Sequence, residues 1–164
     1  MRPNILFYFT DQQRWDTLGC MGQPLPVTPC LDALAADGVC FEQAYSPQPV
    51  CGPCRAMFQT GQWAAQLGCF RNSLSLPENV KTVADWFEEA GYETAYVGKW
   101  HLASSGELEK APEIDYTVTA IPPERRGGYR GFWRAADVLE FTSHGYDGYV
   151  FDENMDRRTF TGYR

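Results

Sequence analysis

Two short apolar runs, Asn4-Ile5-Leu6-Phe7-Tyr8-Phe9 and Thr94-Ala95-Tyr96-Val97, each end in polar residues and are separated by segments with helical spacing. Runs this short and this apolar suit strands covered on both faces, and strands alternating with helices build a parallel sheet with right-handed crossovers. The helices carry their own start and stop signals. Thr28-Pro29 opens one over 29–37, with Leu31, Leu34 and Ala35 on one face and Gly38 at its end. Pro53 to Thr60 reads as a second, stopped by Gly61. Thr82-Val83-Ala84-Asp85 reads as a capping box before a face of Val83, Trp86, Phe87 and Ala90, closed by Gly91. The expectation is an α/β fold with a mostly parallel central sheet, which binds ligands outside the carboxyl ends of its strands. Asp11 falls at one such end, and Lys99 with His101 at the other.

The connecting segments are less regular. Val39 to Tyr45 reads as a brief extended stretch, and Ser46-Pro47-Gln48-Pro49 forces a loop, because each proline restricts its predecessor and removes a donor. Ser104 to Pro123 is polar and loop-like, and Arg125 to Gly131 is a basic, glycine-rich turn. Ala135 to Phe141 reads as a helix, and Gly145 to Gly148 as a turn leading into an extended Tyr149 to Asp152. Residues 1–103 thus form the strand and helix core, and 104–164 a loop-rich continuation of the same domain.

The formal charge of −7 disfavours nucleic acid as a partner, since such proteins carry a basic stripe against the phosphates. Any anionic substrate must be held by a few focused cations. No run of about 18 apolar residues would cross a membrane. Met1-Arg2-Pro3-Asn4 leads straight into an apolar run without a signal-peptide pattern, so the cytoplasm is the expected compartment, or the periplasm or exterior if a signal has been removed. Aromatics make up 15% of the chain and are expected to line its core and pockets. Six cysteines in a chain with ample hydrophobic residues read as reduced thiols rather than a disulfide framework.

Cys51-Gly52-Pro53-Cys54-Arg55 follows the proline loop and places Cys51 at or just before a helix N-terminus, where free N–H groups and the positive dipole end favour an anion. The C-x-x-C spacing also fits a redox dithiol at a helix start. A zinc site would need a second ligand pair, which the sequence lacks. Arg125, Arg126 and Arg130 read equally as an anion-binding loop or a solvated turn, and His144 as a satisfied structural histidine.

The surroundings of Cys51 discriminate further. Val27-Thr28-Pro29-Cys30-Leu31-Asp32-Ala33-Leu34-Ala35-Ala36-Asp37-Gly38-Val39-Cys40-Phe41, Ala44-Tyr45, Pro49-Val50-Cys51-Gly52-Pro53-Cys54-Arg55 and Thr60-Gly61 closely resemble the N-terminal region of sulfatases. Gly91-Tyr92-Glu93-Thr94 and Gly98-Lys99-Trp100-His101-Leu102 resemble that family's second signature. The resemblance runs in consistent order over residues 3–102.

The resemblance implies the alkaline phosphatase-like sandwich, here truncated, and hydrolysis of sulfate monoesters; a phosphonate or phosphate ester hydrolase is the related alternative. It implies that Cys51 is oxidised to formylglycine by a sulfatase-maturing enzyme. The hydrated aldehyde then supplies an oxygen nucleophile and can expel sulfate by re-forming the aldehyde. Arg55 is matched to the motif arginine that stabilises the ionised diol, and Lys99 and His101 to the pair that contacts sulfate and nucleophile. Asp11 and Gln12 are matched, with Cys51, to ligands of a divalent cation, calcium or magnesium in its place, although many relatives have two aspartates where this chain has Asp11-Gln12. Cys54 replaces the commoner serine. The partner is expected to be a sulfated small molecule or carbohydrate, and the remaining ligands and leaving-group acid to lie beyond residue 164, leaving these residues inactive by themselves.

Overall fold

The computed structural model describes residues 2–103 and 115–163, which fall into two compact units, Met1–Ser46 and Pro47–Arg164. Residues 104–114 of the expected polar loop lie outside the described residues.

In the first unit, α1 (Pro29–Asp37) forms where Thr28-Pro29 predicts it and stops at Gly38. The Asp32 carboxylate ties the helix to the turn before it, accepting from the Cys20 N–H at 2.8 Å and the Thr28 hydroxyl at 3.1 Å. The expected strand at Asn4–Phe9 is not formed: these residues belong to no strand, and Leu6 is 89% exposed. A strand meant for burial on both faces exists only with neighbours to hydrogen-bond it, and the described residues of this unit form no other strand. Val39 to Tyr45 likewise forms no strand and turns at Glu42-Gln43.

The second unit begins with α2 (Cys51–Thr60), α3 (Ala64–Leu67) and α4 (Val83–Glu89), and α4 starts on the Thr82/Asp85 capping box. A four-stranded mixed sheet follows, in the order β1 (Ala95–Lys99), β2 (Phe132–Ala136), β3 (Asp147–Asp152), β4 (Arg157–Thr161). The β1 and β2 strands run parallel, from Ala95 opposite Phe132 to Lys99 opposite Ala136, whereas β2–β3 and β3–β4 are antiparallel. A short helix, α5 (Leu139–Thr142), joins β2 to β3.

The second strand corrects the start of the helix expected over Ala135–Phe141, of which only Leu139–Phe141 is helical, in α5. Its two alanines favour a helix locally, but Trp133 and Ala135 both bury on the core side, and that alternation with pairing to β1 outweighs propensity. The expected aromatic core forms in part: Trp100, Trp133, Tyr96 and Tyr129 pack together, while many other aromatic residues, Trp15, Phe41 and Tyr45 among them, are exposed. Trp100 and Trp133 are fully buried, the Tyr96 ring stacks on Trp133 at 5.2 Å between centroids, and Trp100 meets Tyr96 edge-on at 5.1 Å. This cluster packs against β1 through Tyr96 and against the residue that follows it, Trp100. No helix of the described residues is long and apolar enough to cross a membrane.

Candidate active site

Helix α2 begins at Cys51, two residues earlier than the proline suggests, so Cys51 occupies its first position with Val50 as the cap. Three devices shape this end. The Gly52 N–H donates to Asn72 Oδ1 at 2.8 Å, the Cys54 N–H to the Val50 carbonyl at 2.9 Å, and Pro53 lies in the first turn, where a missing N–H costs nothing. At the other end Gly61, with φ of 68°, stops the helix in a left-handed conformation natural to glycine.

Arg55 is one turn further on the same helix and buried. Its Nη1 donates to the Lys99 carbonyl at 2.5 Å, and the Tyr96 hydroxyl donates to the same carbonyl at 2.6 Å. Two donors on one backbone oxygen fix the last residue of β1 against α2. Burial pushes the Tyr96 hydroxyl up to about 12, so it stays a donor at neutral pH.

That clamp aims the Lys99 side chain. Lys99 is only 9% exposed, and its Nζ stands 3.7 Å from Cys51 Sγ and 2.6 Å from Glu140 Oε1. A helix N-terminus and a buried ammonium therefore meet at the Cys51 side chain in an otherwise acidic protein, with the buried Arg55 guanidinium on the Lys99 backbone. They make a focused site for an anion.

His101 lies just beyond, with φ of 57°, in the left-handed region. The turn that carries it is held by Asp137, a fully buried carboxylate at the end of β2 whose Oδ1 accepts the N–H groups of Leu102 and Ala103, both at 2.9 Å. The imidazole is buried, and its Nδ1 has no hydrogen-bond partner among the described residues. Burial lowers its pKa below the usual 6.5, the Lys99 and Arg55 cations lower it further, and Asp137 and Glu140 oppose them. A ring kept neutral beside two cations can accept a proton or hydrogen bond from a hydroxyl.

This has a consequence for stability. The unfolded chain protonates the imidazole near its ordinary value of 6.5 while the native chain resists, so native stability falls as pH drops below that value towards the lowered native one. His101→Gln is expected to remove this part of the pH dependence. Urea unfolding of both proteins at pH 7.5 and 5.5 checks it: a wild-type loss between the two pH values no larger than the variant's contradicts it.

Of the residues singled out in the sequence, Cys51, Arg55, Lys99 and His101 are grouped in the second unit. Asp11 and Gln12 belong to the first unit and are exposed, Gln12 with φ of 58°. Their carboxylate and amide oxygens are donors of the kind that hard cations take. Among the described residues no cluster of three or more His, Cys, Asp or Glu side chains forms around a cation site. Cys51 and Cys54 are both half-buried, and neither forms a disulfide.

The basic turn is not an anion-binding loop. Arg126 is buried and donates to the Ile121 and Glu153 carbonyls, Arg125 donates to the Ala103 carbonyl and pairs with Glu78, and Arg130 pairs with Glu88 and Asp85. His144 is largely exposed rather than packed, with Nδ1 3.8 Å from Asp147 Oδ2. Asp137, Glu140 and Tyr96 were missed as site residues. For Asp137 the signal was present, since it follows a strand of the sheet, but only once Phe132–Ala136 is read as that strand.

A family model described as Sulfatase matches residues 3–158. An ulvan-active sulfatase of Formosa agariphila is 41% identical over 153 residues, which is 93% of this chain and 27% of that protein. The solved structure of the yidJ protein of Bacteroides fragilis superposes with a TM-score of 0.79 at 27% identity, over 93% of this chain and 35% of its own. A structure solved with its substrate, D-glucosamine-2-N,6-O-disulfate, superposes with a TM-score of 0.74 at 26% identity, over 99% of this chain and 28% of its own. The chain thus spans about a quarter of the length of the curated relative, and its α/β fold is that of these solved hydrolases.

Proposed function

The chain belongs to the sulfatase family, and from that premise we propose that it carries the nucleophile and the anion-binding residues of a sulfuric ester hydrolase acting on sulfated carbohydrates. The observation that carries the reading is the Lys99 ammonium 3.7 Å from Cys51 Sγ at the first position of α2. A thiol alone does not account for so much positive charge directed at one point; an anionic group arriving beside the Cys51 side chain does.

Conversion of Cys51 to formylglycine by a sulfatase-maturing enzyme gives a hydrated side chain able to supply an oxygen nucleophile. Lys99 holds a sulfate oxygen and lowers the cost of charge on the attacking group as a compact point charge. Arg55 fixes the Lys99 backbone through its bond to the Lys99 carbonyl and so supports the position of the ammonium. His101, neutral, accepts a hydrogen bond from a diol hydroxyl and orients it. Asp11 and Gln12 would hold a divalent cation, calcium or magnesium, through hard oxygen atoms. A divalent cation so held would supply positive charge and lower the pKa of a bound hydroxyl. The sugar disulfate bound by one structural relative favours a sulfated saccharide as the substrate.

The test is hydrolysis of paired sulfate and phosphonate esters of one aryl alcohol and of a 6-O-sulfated hexosamine, using the polypeptide at its full length and matured. Cleavage of the sulfate esters in preference to the phosphonate is expected. Preference for the phosphonate overturns the assignment to sulfate.

A further inference from the structure

The segment after β2 touches both residues of the second signature. Asp137 grips the backbone following His101, and Glu140, three residues on in α5, reaches Lys99: its Oε1 accepts from Nζ at 2.6 Å. Nothing in the sequence pointed to Glu140. The pair is asymmetric, because the lysine side chain is 8% exposed and the glutamate side chain 47%. The carboxylate is thus about half in water, while the ammonium is buried between Glu140 and Cys51.

We propose that Glu140 is a positioning residue that holds the Lys99 ammonium in line with the Cys51 side chain and competes with the incoming sulfate for it. This rests on the hydrolase reading above. A charge-assisted hydrogen bond fixes the direction of a flexible four-carbon side chain, which would otherwise sample several rotamers. The same negative charge lies beside the place where an anion must arrive, so it weakens ground-state binding of sulfate. Precision in the reacting geometry and weaker anion affinity therefore come from one carboxylate.

The two effects have opposite signs, and a merely structural residue would produce neither combination. In the matured full-length polypeptide, Glu140→Gln keeps shape and an acceptor but loses the charge, and Glu140→Ala loses both. Each is expected to lower kcat by about tenfold, within the range of couplings between contacting groups. Inorganic sulfate should inhibit each variant more strongly than wild type, and Glu140→Asp should recover part of kcat. In a Lys99→Ala background, Glu140→Gln should have no further effect on kcat/KM, because Glu140 acts through Lys99. Unchanged kcat and unchanged sulfate inhibition in both variants overturn the assignment, as does an equal loss in the Lys99→Ala background. A wild type that cleaves no sulfate ester overturns the hydrolase reading itself, and so is told apart from a failure of Glu140 alone.

Discussion

Cys51→Ala removes sulfate ester hydrolysis in the matured polypeptide, lowering kcat/KM by at least about 10^4-fold, the scale on which enzymes respond to loss of their nucleophile. The structure makes this a test of chemistry rather than folding. Cys51 is at the first position of α2, where the backbone is held by the Gly52 bond to Asn72 and the Cys54 bond to Val50, and neither involves the Cys51 side chain. Alanine at the first turn keeps both bonds and only shortens a half-buried side chain. Thermal unfolding should therefore stay close to wild type while activity disappears. Cys51→Ser isolates the aldehyde: a hydroxyl in the same place has no second oxygen with which to expel sulfate, so at most one slow turnover is expected unless the maturing enzyme also oxidises serine. Activity of Cys51→Ala within tenfold of wild type rules out the proposed nucleophile.

The second large effect belongs to Lys99→Ala, with an expected loss of about 10^2- to 10^3-fold in kcat/KM, comparable to removing one preorganised electrostatic group. Removing one member of an ion pair often strands a buried charge, at a cost of several kcal/mol. Here the stranded partner is Glu140, whose side chain is 47% exposed and takes up water instead. The clamp on β1 also survives, since Arg55 and Tyr96 donate to the Lys99 backbone carbonyl and not to its side chain. Stability should thus change little while turnover falls. Lys99→Arg should recover only a small part of the rate, because a planar fork cannot occupy the position of a compact ammonium between Cys51 Sγ and Glu140. If Lys99→Ala retains more than a third of wild-type kcat/KM, the anion is held elsewhere.

The centre of the site was legible in the sequence because its residues are tied to local rules. Cys51 and Arg55 share one turn after a proline loop, α4 carries its capping box in full view, and Lys99 and His101 follow an apolar run that proves to be β1. What local rules missed depends on pairing. Asn4–Phe9 has the composition of a strand but lacks strand neighbours in its unit. Phe132–Ala136 has helix-favouring alanines but pairs along its whole length with β1. Reading Ala135–Phe141 as one helix concealed Asp137, which directly follows β2, and no local rule tells that Glu140 of α5 reaches Lys99. The three arginines of the glycine-rich turn were visible as charges, but the sequence does not disclose that they are spent on carbonyls and carboxylates. Asp11 and Gln12 stand on the resemblance to sulfatases and on the chemistry of their oxygens.

The most direct measurement is the mass of the proteolytic peptide containing Cys51, after co-expression of the full-length polypeptide with a sulfatase-maturing enzyme. Conversion to formylglycine lowers that mass by about 18 Da, places the change at Cys51 and leaves Cys54 alkylatable. An unmodified peptide, or one about 2 Da lighter with both thiols blocked as a Cys51–Cys54 disulfide, contradicts the account and turns the pair into a redox dithiol.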